Sequence, residues 1–511
     1  MELTETKQLA QFVFGDWKLL LCVPILFALY LHYSSNFDFF KKKGIKFMKP
    51  KLIVGNIGDF MLARTSYHDF QLEIYNNFKG HPYGGIFEGR RPVLYLIDPD
   101  IIKAVTIRDF DYFTDRFAVI SNAPRYINRL LLNLKGTEWK SVRSIITPSF
   151  SSSKVKHMLP VIQSCSDLMV QFLKQYDNKD IEMQNKMGHF TLEVISTCAF
   201  GIKSDALTDE NAKFVKVAER YDYITAHKKY FLFFVMMFVP KMITYLNIST
   251  FNHEATKKVV EMLQATKAKR RSTIRKNDFL QLMIDAAKKE KEKCKNSKEK
   301  PLWDDDTIYA QSLLFLIASY ETSSTLLSFA IHTLAVQPEI QEKLRKHIVE
   351  VSAGKEMSYE LLSQLYYLEA FLLETLRLYP PIGRIDRVAT KPYTLPDTSI
   401  KIDVGDIVAI PVYGIHMDPD YYPEPGAFKP ERFIKNGKVQ RPSQLFLAFG
   451  AGPRNCIGLR FAMFSAKLGM VSLLKNFKFT SCAKTEHPIQ FHKSHVLLKA
   501  NIGLWVHVKK I

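Results

Sequence analysis

At 511 residues the chain outgrows the usual extent of one hydrophobic core, yet no Gly/Ser-rich linker divides it, so it reads as one large domain behind an N-terminal anchor. Lys+Arg 71 against Asp+Glu 51 leaves a formal charge of +20, which suits an acidic protein partner, an anionic membrane or a solvated surface without one partner; the lack of any zinc-finger or RNA-binding signature argues for no nucleic acid. The cysteines (Cys22, Cys165, Cys198, Cys294, Cys456 and Cys482) are scattered without a Cys-x-x-Cys pair, which excludes a closed zinc site or covalent heme attachment and points to a reducing compartment rather than a disulfide framework.

The first element is apolar. Leu19 to Phe37 contains no Asp, Glu, Lys or Arg, and as a helix those 19 residues reach about 28 Å, close to the hydrocarbon thickness of a bilayer. Lys41, Lys42, Lys43, Lys46, Lys49 and Lys51 follow, whereas the other flank carries Lys7 and Lys18 against Glu2, Glu5 and Asp16. The positive-inside rule therefore predicts a lumenal segment over 1–18, a transmembrane anchor over 19–37, a basic, proline-containing linker over 38–52 and a cytosolic domain over 53–511. A cleaved signal peptide fits less well, because no small-x-small site follows the apolar run.

Gly84 to Asp98 predicts a β-hairpin turning at Glu88-Gly-Arg-Arg91, with Pro92 to Ile97 as its outgoing strand. Phe231 to Val239 is wholly apolar but too short to span a bilayer; it reads as a buried helix or as a contact lying on the membrane. Lys288 to Lys300 reads as a charged surface connection. Asp304-Asp-Asp306 caps a helix that meets no Gly or Pro before Pro338, and its centre, Leu313 to Ile317, is apolar on every side, as in a helix running through a core. Ile400 to Val412 forms another β region around Gly405. The fold class is mainly α with small β-sheets.

The segment with the most chemistry is Phe449-Gly-Ala-Gly-Pro-Arg-Asn-Cys-Ile-Gly458. Three glycines and a proline around one cysteine describe a loop whose backbone approaches something closely. Arg454 adds positive charge, and the helical pattern from Leu459 sets Cys456 near a helix N-terminus, where backbone N–H groups favour a thiolate. A lone cysteine also reads as a small buried hydrophobe, or as a hydrolase nucleophile paired with His416 or His495.

This loop resembles the heme-binding loop of the cytochrome P-450 family, Phe-x-x-Gly-x-Arg-x-Cys-x-Gly, through Phe449, Gly452, Arg454, Cys456 and Gly458. The resemblance implies the cytochrome P-450 fold, with heme b (iron-protoporphyrin IX) as cofactor and Cys456 as its axial thiolate, whose electron donation favours O–O cleavage. Phe449, Arg454 and Gly458 would border the cofactor. Further motifs follow in the family's order. Trp139-x-x-x-Arg143 resembles the helix that holds a heme propionate, Arg384 resembles a second propionate partner, and Arg116 is another cation in reach of that role. Glu374-Thr-Leu-Arg377 and Arg432 of Pro430-Glu-Arg-Phe433 resemble a structural Glu-Arg-Arg triad. Ala318-Ser-Tyr-Glu-Thr-Ser323 resembles the family's Ala/Gly-Gly-x-Asp/Glu-Thr-Thr/Ser, which makes Glu321 and Thr322 the catalytic acid–alcohol pair for proton delivery to dioxygen; read alone, Thr322 bonds back to a helix carbonyl. Ser319 stands where glycine is usual.

The resemblance is nearest to the microsomal branch, and within it to insect xenobiotic-metabolising members, through Gly85 to Arg90, Phe113 to Arg116 and Thr147 to Phe150. It implies insertion of one oxygen atom from O2 into a lipophilic substrate at the endoplasmic reticulum membrane. Electrons would come from NADPH through a membrane-bound NADPH–cytochrome reductase, with cytochrome b5 as an optional second donor. Phe117 to Leu132, Phe315 to Thr322, Pro381 to Gly383 and Ser494 to Leu497 would line the substrate space. A heme-thiolate isomerase or dehydratase without a reductase, and a non-catalytic heme carrier, remain alternatives.

Overall fold

The computed structural model describes residues 17–117, 124–209, 212, 214–217, 235, 252–272, 278–294, 302–442 and 444–511. The Phe231–Val239 segment, apart from Val235, lies outside the described residues, as do parts of the Phe117–Leu132 and Lys288–Lys300 segments.

Helix α1 (Trp17–Ser34) occupies the first apolar run and contains Pro24. It stops three residues short of Phe37 because the chain turns there to dock: Arg90 donates to the Ser35 hydroxyl (2.8 Å), and Phe37 packs on Phe87 (5.3 Å between ring centroids). Leu26, Phe27, Leu29, Tyr30 and Leu31 are all exposed. Among the described residues, one helix is long and apolar enough to cross a membrane, Asp305–Val336, and most of it is buried inside the protein.

The hairpin forms as predicted from β1 (Tyr83–Glu88) and β2 (Arg91–Leu96), with Gly89 at φ +62° in the turn. Helix α2 (Gly136–Ile146) carries the Trp139 motif, and β3 (Lys179–Glu182) leads straight into α3 (Met183–Phe200), which Glu182 caps by accepting from the Gln184 and Asn185 N–H groups. Helix α4 (Asp305–Val336) starts where the aspartates predict; the Asp304 carboxylate accepts from Thr307 N–H, and the helix gives way just before Pro338. It runs along α3 through the larger of the hydrophobic cores. Helix α5 (Tyr366–Leu378) packs against it, followed by β4 (Ile385–Val388) and β5 (Ile407–Ile410). Helix α6 (Leu459–Asn476), β6 (Phe477–Thr480) and β7 (Trp505–Lys510) end the chain.

One sheet has the order β1-β2-β5-β4, with β2 and β5 parallel and the other pairs antiparallel; a second has the order β6-β7-β3. The first sheet forms its own apolar core with Phe40, Ile74, Phe87 and Leu447. Gly405, at φ +92°, sits in the turn that divides the expected Ile400–Val412 β region into Lys401–Ile402, which pairs with Tyr393–Thr394, and β5.

The segment between β5 and the cysteine loop has little regular structure and is held by ionic contacts. Glu374 and Arg377 pair through two bonds of 2.8 Å with no exposed side-chain surface. Arg377 then donates to the carbonyls of His416 and Pro425, both at 2.8 Å. Arg432 reaches Glu374 at 3.3 Å, and Lys429 N–H donates to the same carboxylate oxygen at 2.9 Å. The expected triad thus assembles, and it ties the irregular chain ahead of the loop to α5.

Candidate active site

The Cys456 loop is shaped by its glycines. Gly452 has φ +69°, and a Cβ there would lie 1.7 Å from the Thr106 carbonyl oxygen, so the loop seats directly on the π-helical turn Ala104–Arg108. Cys456 N–H donates to the Phe449 carbonyl (2.8 Å) and closes the loop, and α6 starts from Gly458. The Cys456 side chain has open surface in front of it. It nevertheless sits deep in the protein: burial pushes the thiol up, while the Gly458 backbone N–H and the charges of Arg143 and Arg116 pull it down.

Around the thiol lies a group of arginines. Arg143 donates to the Asn455 side-chain oxygen (3.0 Å), and Arg116 donates to the Arg454 carbonyl (2.9 Å). Arg454 is buried, lies over the Trp139 ring (4.2 Å) and spends its fork on the carbonyls of Thr114, Leu131 and Leu134 at 2.8, 3.3 and 2.7 Å. It fastens the loop to the chain before α2 and supplies charge rather than free donors. Arg387, which sequence reasoning missed, is fully buried and donates to the Ala451 carbonyl at 3.3 Å. Burial and the neighbouring cations Arg116 and Arg454 push Arg387 down to about 9, and Arg454 falls to about 9 through burial, Arg116 and Arg143. The β4 pattern held the signal for Arg387: it shares the inward face of that strand with Ile385, where an arginine needs a partner. Arg384 points elsewhere. Its guanidinium pairs with Glu88 and lies 5.5 Å over the Tyr95 ring.

Helix α4 passes α6 and carries the acid–alcohol pair. Thr322 Oγ1 donates to the Ala318 carbonyl at 2.6 Å, the back-bond expected of a helical threonine. Ala318 is exposed and Thr322 half-buried, although the helix around them is largely buried, so their stripe borders open space. Glu321 Oε1 stands 4.0 Å from the Lys499 ammonium, another group that sequence reasoning did not single out. Phe117, Ile382 and Val496 are exposed apolar residues in three of the segments expected to line a substrate space.

His416 is not a base for the thiol. Its Nδ1–H bonds to the Arg377 carbonyl (3.0 Å), its Nε2 accepts from Leu447 N–H (2.9 Å), and burial followed by the Arg377 charge pushes it down to about 3. His495 stacks edge-on against His492 at 4.5 Å. Among the described residues, the charges acting on the Cys456 thiol are those of Arg143 and Arg116.

Residues 46–505 match the family model for cytochrome P-450. The chain belongs to the cytochrome P-450 family. This P-450 is 36% identical to cytochrome P-450 9e2 of Blattella germanica over 96% of its own length and 97% of that protein. It is 34% identical to cytochrome P-450 6a8 of Drosophila melanogaster (96% and 98%) and 35% identical to cytochrome P-450 3A6 of Oryctolagus cuniculus (95% and 95%). It is accordingly a heme b protein and a monooxygenase. The residues present fit that cofactor. A flat group bearing two carboxylates needs cations shielded from water, and the P-450 offers the buried Arg387 and the half-buried Arg116 and Arg143 beside an accessible thiol, with the Nε of Arg116 and of Arg387 buried and unpartnered.

Proposed function

We propose that this P-450 inserts one oxygen atom of O2 into a lipophilic substrate, xenobiotic or endogenous, at the endoplasmic reticulum membrane, with electrons from NADPH arriving through a flavoprotein reductase and cytochrome b5 as an optional second donor. The observation that carries the reading is the accessible Cys456 thiol among buried and half-buried arginines, with the Nε groups of Arg116 and Arg387 buried and without partners. Cys456 would ligate the heme iron through its sulfur. Arg116, Arg143 and Arg387 would hold the propionates, Trp139 and Arg454 brace the loop, and Phe449 and Gly458 would border the cofactor. When bound, heme supplies the redox centre at which dioxygen is reduced and split. The chain's own residues do the rest. The Gly458 N–H and the Arg143 and Arg116 charges favour the thiolate of Cys456 and oppose the burial that pushes the thiol up. Thr322 has its proton on the Ala318 carbonyl, which leaves Oγ1 free to accept and so to steady a water, and Glu321 beside it passes protons inward. The basic surface suits an acidic reductase. The deciding experiment is turnover of a lipophile panel by membranes carrying this protein and a reductase: NADPH-dependent products support the reading, and turnover without NADPH would favour an isomerase.

Thr322→Ala is expected to keep consuming NADPH while product per NADPH falls severalfold and peroxide rises to match. An equal peroxide yield in wild type and variant removes Thr322 from the relay.

The membrane arrangement rests on the exposed apolar side chains of α1 and the lysines at 41–51. The P-450 then crosses the bilayer once, with its catalytic domain cytosolic. Protease added to intact microsomes is expected to digest that domain; full protection would reverse the topology.

A further inference from the structure

Glu321 borders a cavity that Thr322, the next residue, does not line. Ala318 and Thr322, one turn apart, share one stripe of α4, whereas Tyr320, Glu321, Ser324 and Thr325 border a separate cavity of about 320 Å³. Glu182 and Lys499 also line it, and Asn185 on its border is exposed. The space is large enough for several waters and is lined by groups able to bond them. Lys499 and Glu321 are each about one-fifth exposed, and their charges stand 4.0 Å apart, a separation that one water bridges. Glu182 is committed elsewhere: its carboxylate accepts from the N–H groups of Gln184, Asn185 and Leu504 at 3.0, 2.9 and 3.0 Å.

We propose that Lys499 is a positioning residue for proton supply, its ammonium holding the Glu321 carboxylate on the wall of this polar cavity so that protons reach Thr322 by that route. The inference rests on the reading of Glu321 and Thr322 as a relay. A proton passes from cavity water to the Glu321 carboxylate and from there towards Thr322, which returns Glu321 to its carboxylate form; the cavity water regains its proton from solvent. Lys499 keeps its own proton and acts through charge and place. The titratable groups lining the cavity are Glu182 from β3, Tyr320 and Glu321 from α4, and Lys499; His492 meets Lys499 through the backbone, its N–H donating to the Lys499 carbonyl at 2.8 Å.

A pH signature follows. Burial pushes Lys499 down to about 8, against the opposing charge of Glu182. Its charge is therefore present at neutral pH and lost as pH rises through about 8. Product per NADPH in wild type should drop across that step. Lys499→Met should be uncoupled severalfold below the step and show no step, whereas Lys499→Arg, charged throughout, should stay coupled on both sides of it. The readout independent of turnover is an infrared titration of the holoenzymes, with Glu321→Gln assigning the band: in Lys499→Met the Glu321 carboxyl should ionise at a higher pH than in wild type, because a nearby cation is gone. The ferrous–carbonyl spectrum checks that each variant is folded and holds heme. If Glu321→Gln uncouples while Lys499→Met titrates and couples as wild type does, the inference about Lys499 is overturned and the relay stands. If Glu321→Gln leaves coupling intact, it is the relay reading that fails. Should Lys499→Met not fold, the wild-type profile and Lys499→Arg decide: coupling flat across about pH 8 in wild type, or a step that persists in Lys499→Arg, overturns the inference.

Discussion

Replacing Cys456 by His is expected to abolish the thiolate-type Soret band of the ferrous–carbonyl complex, and NADPH-dependent oxygenation with it. The loop is built around sulfur. Cys456 N–H closes it onto the Phe449 carbonyl, the Gly458 N–H stabilises negative charge on the thiol, and Arg143 and Arg116 add their fields. A neutral imidazole takes no advantage of those donors and pushes less electron density onto iron, so O–O cleavage loses its driving group. The seat is also tight: Gly452 lies against the Thr106 carbonyl, and the loop cannot back away to admit a larger ring. The spectrum of purified protein checks the result. An unchanged thiolate band would mean that another sulfur is the ligand.

Glu374→Ala is expected to cost about 3–5 kcal/mol of stability, because it strands two arginines in the interior. That is a large share of the about 5–15 kcal/mol by which folded proteins are stable. Arg377 has no exposed side-chain surface and Arg432 little, so neither charge recovers its hydration when the carboxylate is removed. The loss also reaches the backbone, since Glu374 Oε1 accepts from Lys429 N–H and Arg377 grips the Pro425 and His416 carbonyls. His416 in turn accepts from Leu447 N–H, close ahead of the cysteine loop. The variant should express as protein that does not retain heme and should unfold at lower denaturant. Normal heme retention with turnover alone lost would assign the triad to chemistry instead of support.

Local patterns carried much of this molecule. The Asp304 cap, the unbroken run to Pro338 and the apolar centre specified α4, because a helix start and a buried face depend on neighbours within a few residues. The Gly89 turn and the β-prone run after it specified the first hairpin for the same reason. Thr322 took the back-bond that its place in a helix predicts. The cysteine loop was legible because close backbone approach demands glycine at fixed offsets.

Long-range partners were not legible. Arg384 lies just before β4 and Arg387 on it, three residues apart, and nothing local says which faces the site. Glu88, almost three hundred positions away, decides it by taking Arg384, while the alternation of β4 turns Arg387 inward toward Ala451. The Arg454 fork could be read as an anion holder until its carbonyl partners, Thr114, Leu131 and Leu134, were in place. Lys499 meets Glu321 only because the C-terminal chain returns beside α4. The sequence alone determined residue types, the elements whose signals are local and the family; the tertiary structure decided which charges meet, since a buried ion pair is set by packing across the fold and leaves no period in the chain.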